Sequence, residues 1–78
     1  MREKLLELLQ YRPFQPFRVY LTNGNVHTVR HPEQALLTAA FVLIGIPEND
    51  QPGPAVSDTI FVALPHVVKL EPLIAAAA

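Results

Sequence analysis

The chain has 78 residues, half of them hydrophobic, no cysteine and a formal net charge of −1. Disulfides and thiolate metal sites are therefore excluded, and no apolar run reaches the ~20 residues of a membrane-spanning helix. A single domain of this size buries only roughly 60 to 65 % of its unfolded surface, so this much apolar side chain leads us to expect self-association.

REKLLELLQY (2–11) reads as a helix. Leu5, Leu8, Leu9 and Arg12 follow the i, i+3, i+4, i+7 spacing, and Leu6 widens the leucine stripe. Glu3 and Glu7 lie near the positive end of the helix dipole and Arg12 near its negative end. Pro13 stops the helix, because it lacks an N–H and restricts the residue before it. In FRVYLT (17–22) the apolar residues Phe17, Val19 and Leu21 alternate, which predicts the first strand. Asn23-Gly24 tolerates positive φ at both central positions of a type I′ turn, so a second strand is expected from Asn25 through His31. Pro32 breaks that strand, and HPEQALL is read as a short helical turn or bend.

FVLIGI (41–46) is a continuous apolar run and is expected to be a strand buried on both faces. Residues 47–58, with three prolines, a glycine and three acids, read as a loop. TIFVAL (59–64) is the fourth strand. A tight turn at Pro65-His66 leads to a fifth strand that Pro72 ends. The tail AAAA (75–78) is low-complexity and is set apart from a single domain over 1–74. The expected core is Val19, Leu21, Val42, Ile44, Phe61 and Leu70, with the leucine stripe of the helix closing one end. With so few residues the strands must curl into a small barrel to cover their edges.

Charge is uneven along the chain. Residues 1–30 carry a balance of +3 and residues 31–78 a balance of −4. Such asymmetry suits a basic face for an anionic partner, two complementary edges of a self-assembling subunit, or merely a solvated surface. LLELL is short and interrupted by Glu7, so no signal peptide is expected and a cytoplasmic location is the default. His27 and His31 would lie roughly 13 Å apart on a strand, too far to share a metal, and no metal site is expected. Ser57 has Asp58 beside it but no local histidine, and no glycine-rich phosphate loop exists, so neither catalysis, a cofactor nor a small-molecule substrate is expected.

PFRVYLTNG, FVLIGI and the turn before the last strand together resemble the Sm-like (Hfq/LSm-type) small β-barrel family, as a divergent member. Pro16, Val19, Tyr20, Leu21, Asn23 and Gly24 match the family's strand-one and turn pattern, and Phe41, Val42, Leu43 and Ile44 match the start of its third strand. The resemblance covers most of residues 4–72, with an insertion near HPEQALL. It implies a mainly β, small α+β fold: an N-terminal helix and a strongly bent five-stranded antiparallel sheet forming an Sm-like, SH3-type barrel. It also implies a cyclic homo-oligomer and single-stranded RNA on the ring faces. Tyr20 matches the stacking tyrosine of the face that takes A-rich RNA, and Phe41 matches the phenylalanine of the face that takes U-rich RNA. Ala63, Leu64 and Pro65 stand where that second face has Tyr-Lys-His, so the lysine charge and the ring stack are both missing here. Arg12, Arg18 and Arg30 are the candidate phosphate contacts. The reading is thus a non-enzymatic, self-associating protein with RNA on a ring face; the alternative is an interaction or structural module that binds no nucleic acid.

Overall fold

The computed structural model describes residues 1–47 and 56–73. A helix, α1 (Arg2–Gln10), precedes six strands: β1 (Phe17–Leu21), β2 (Val26–Val29), β3 (Ala35–Leu37), β4 (Phe41–Pro47), β5 (Val56–Ala63) and β6 (Val67–Pro72). The strands form two three-stranded antiparallel sheets, ordered β2-β1-β6 and β3-β4-β5. This corrects the expectation of one five-stranded bent sheet closing into a barrel. Among the described residues there are six strands, and no ladder joins one sheet to the other.

The extra strand has a local cause. β2 ends at Val29, short of the expected His31, and a 3-10 turn at Pro32–Gln34 separates it from β3. Proline offers no N–H to a ladder. The side chain of Gln34, only 8 % exposed, fills the gap. Its Oε1 accepts the Arg30 backbone N–H at 2.9 Å and its Nε2 donates to the Thr28 carbonyl at 2.9 Å. One buried amide thus satisfies a donor and an acceptor that a continuous strand would have paired.

The β1–β2 hairpin also differs in detail from the type I′ expectation. The Gly24 N–H bonds to the Leu21 carbonyl at 3.0 Å, so Thr22 and Asn23 are the central residues of that turn. Gly24 follows at φ 89°, the left-handed conformation that glycine adopts without a Cβ clash. The Leu21 N–H then bonds to the Asn25 carbonyl at 2.9 Å, closing a three-residue loop. β5 begins at Val56, three residues earlier than TIFVAL, because its ladder to β4 extends to the Pro47–Val56 pair. Residues 48–55 of the expected loop and the alanine tail (75–78) lie outside the described residues. The expected tight turn at Pro65-His66 is a 3-10 turn over Leu64–His66.

Both sheets contribute to one core. Phe17, Val19, Val29 and Val67 come from the first sheet, and Ala35, Val42, Ile44 and Val62 from the second. Leu5 of α1 and Leu64 complete it. Leu8, Leu9, Leu21 and Leu70 pack against this cluster while partly buried. Phe61 does not fill the core as expected: it is 74 % exposed. Its neighbours Ile60 and Val62 oppose Ile44 and Val42 on the inner face, and alternation sends Phe61 outward. For the same reason β4 is buried on one face rather than two. Val42 and Ile44 point inward, while Phe41 stays 46 % exposed.

Candidate functional site

The outer face of the first sheet carries the densest polar arrangement. Phe17 and Val19 are buried, so the alternating Arg18 and Tyr20 stand on the opposite face of β1. Across the strand pair Arg18 opposes Glu71 and Tyr20 opposes Lys69. The Tyr20 hydroxyl donates to Glu71 Oε1 at 2.5 Å. Arg18 Nη1 donates to the same oxygen at 3.3 Å, and the pair counts as a partly exposed ion pair. Lys69 Nζ sits 4.9 Å from the centre of the Tyr20 ring, within cation–π range. The Tyr20 hydrogen bond holds the Glu71 carboxyl below its ordinary range. Partial desolvation opposes that shift, and Arg18 and the Lys69 charge add to it.

The ladder makes this cluster possible. β1 and β6 pair directly up to Tyr20–Lys69, then the register shifts so that Leu21 faces Val67. A bulge at Val68 therefore lets Val67 point into the core while Lys69 remains beside the tyrosine. Of the residues singled out from sequence, Arg18 and Tyr20 meet here. Lys69 and Glu71 join them, although neither is marked by the residues next to it in the chain.

The remaining candidates lie elsewhere. Arg12 Nη1 donates to the carbonyls of Leu9 and Tyr11, both at 2.9 Å. It thereby caps the carbonyl end of α1. Arg30 is exposed, just past the end of β2. Phe41 opens β4 and opposes Ala63 on the outer face of the second sheet. Tyr20 and Phe41 are therefore on different sheets, and the structure does not join them into one site.

Two of the depressions among the described residues lie near these faces. One is lined by Thr22, Asn23, Phe61 and His66, among others; within it Thr22 Oγ1 and His66 Nδ1 lie 3.2 Å apart. The other, a groove between α1 and the end of β6, is lined by Leu8, Tyr11, Gln15 and Pro72 between Lys4 and Glu7. Among the described residues no three His, Asp or Glu side chains converge as metal ligands would. No described helix is long and apolar enough to cross a membrane.

Comparison of the chain with protein-family models, with curated proteins and with solved structures finds no match.

Proposed function

We propose that this chain is a non-enzymatic, self-associating module of Sm-like type that closes into a cyclic homo-oligomer, working in the cytoplasm. The observation that carries the reading is the pair of open edges. Among the described residues β5, eight residues long, pairs only with β4, and β6, six residues long, pairs only with β1. Exposed edges of this length invite a partner strand. They lie at the two ends of the strand order once β2 and β3 are read as one strand interrupted at Pro32: β6, β1, β2/β3, β4, β5. That order is the one a five-stranded bent sheet of Sm type would have, and pairing β5 of one subunit with β6 of the next makes a head-to-tail contact that closes into a ring. Sedimentation velocity at micromolar concentrations should show a discrete oligomer, and a monomer throughout that range would sink the reading.

Single-stranded RNA is the second reading, favoured by the Tyr20 cluster. Lys69 lies over one face of the Tyr20 ring, so a base would stack on the other, with Lys69 and Arg18 as the cations for its phosphate; such stacking is worth roughly 1–3 kcal/mol. Glu71 works against it, because its carboxylate already occupies Arg18 and the tyrosine hydroxyl. Binding should therefore be weak and salt-sensitive, with oligo-A preferred to oligo-U. Fluorescence anisotropy at low salt tests it. Absence of binding to either leaves the module without nucleic acid, and Glu71→Gln should strengthen oligo-A binding if the Tyr20 face is the one used.

A further inference from the structure

The outer face of the second sheet is apolar, and its layout is self-complementary. The β3–β4–β5 register places Leu36, Leu43 and Phe61 directly opposite one another in a single row. Leu36 is 64 % exposed and Phe61 74 % exposed. Scattered exposed apolar residues need no explanation, but a contiguous row on one sheet face marks an interaction surface. The rows on either side differ in shape. Toward one end stands the projecting Phe41, paired with Ala63. Toward the other is Gly45, paired with Thr59, at a depression that Glu33, Leu36 and Leu43 also line.

From this layout we infer that the face packs against the same face of a second copy, about a two-fold axis lying along the Leu36–Leu43–Phe61 row. Leu43 is midway between Phe41 and Gly45 on one strand. Rotation about an axis through it carries each phenylalanine onto the other copy's glycine depression, at the ~10 Å spacing of stacked sheets. The contact is isologous, with two knobs filling two hollows. Charge complementarity points to the same axis. Arg2 Nε donates to the Thr38 carbonyl at 3.0 Å, and the Thr38 N–H bonds to the Phe41 carbonyl at 2.8 Å, so the guanidinium lies at the Phe41 end. Glu33 lies at the Gly45 end. The rotation brings Arg2 of one copy toward Glu33 of the other, twice. An axis along the strands would instead superpose like ends.

This surface is distinct from the β5 and β6 edges invoked above, so the two contacts are separable. A face three strands wide buries on the order of 1,000 Å² across both copies, the low end of specific interfaces, and a micromolar association is expected. Sedimentation velocity over a micromolar to millimolar series of the full chain tests it, alongside Phe61→Glu and Leu36→Glu. Both residues are exposed, and unchanged far-ultraviolet dichroism and melting of dilute samples verify that the variants fold. Each should raise the dissociation constant by about tenfold or more, as loss of a central apolar contact does. Arg2→Glu and Glu33→Arg should each weaken association, and the double variant should restore it. If the edges also pair, the face variants leave a ring of half the wild-type mass. If the edges do not pair, the wild type stops at a dimer and the variants are monomers. Unchanged association in Phe61→Glu and Leu36→Glu overturns the inference, and so does a double variant no better than the single charge reversals.

Discussion

Glu71 and Gln34 each hold two hydrogen-bond partners through one side chain. Glu71 accepts from Tyr20 and Arg18 across 51 and 53 residues of chain. Its pKa lies below the ordinary 4.5, chiefly through the tyrosine hydrogen bond. A depressed carboxyl stabilises the folded state above its unfolded pKa, and that contribution is lost as the pH falls through the lowered value. Carboxyl-carbon NMR should therefore show Glu71 titrating below 4.5, and Tyr20→Phe should move its midpoint up. An unmoved midpoint would assign the shift to Arg18 and Lys69. Gln34 is the second case. Gln34→Ala leaves the Arg30 N–H and the Thr28 carbonyl without their partner, and an unsatisfied buried polar group costs about 1–3 kcal/mol. Urea denaturation should register a loss of that size. Alternation in FRVYL marks Arg18 and Tyr20 as sharing a face, but nothing local marks Lys69 or Glu71. Their positions depend on a long-range ladder with a bulge, which changes which β6 residues face outward.

At the level of elements, the patterns that are local in sequence are the ones the structure bears out. The leucine spacing and Pro13 predict α1 to within one residue of its observed end at Gln10. FRVYL predicts β1, and Asn-Gly predicts the hairpin, although the loop holds three residues rather than two. The β3 strand is missed because ALL is only three residues long. It is a strand because β4 supplies a ladder, not because of its own propensity. Phe61 is placed in the core by composition alone. The β4–β5 register, which no local signal encodes, turns it outward. The leucine stripe likewise divides: Leu5 is wholly buried while Leu8 and Leu9 remain partly exposed. Leu5→Ala should therefore cost about 2–5 kcal/mol, the sum of lost burial and the cavity it leaves. Leu36→Ala, on the outer face, should leave stability of the dilute monomer nearly unchanged. Chemical denaturation of the two variants checks this pair, and equal losses would mean that the outer face is covered within the monomer.

For the whole molecule the governing fact is that a 78-residue chain with no cysteine leaves large apolar side chains exposed. A domain this small has only a few kcal/mol to spare, yet Leu36, Phe41 and Phe61 are exposed, and among the described residues β5 and β6 each pair on one side only. Folding and association should then be linked, since any contact made only by the native state stabilises it by mass action. At a protein concentration tenfold above the dissociation constant the gain is about 1.4 kcal/mol, or roughly 5 to 10 °C in melting midpoint for a domain of this length. Calorimetry at a series of concentrations should show the midpoint climbing through the range where sedimentation shows assembly. Glu71→Gln, away from the apolar face, should follow the same climb at neutral pH, whereas Phe61→Glu should make it shallower, leaving only what edge pairing supplies. A wild-type midpoint that stays constant over that series would mean the core formed by Leu5, Phe17 and the two sheets suffices alone, and the exposed row would then be surface the monomer tolerates.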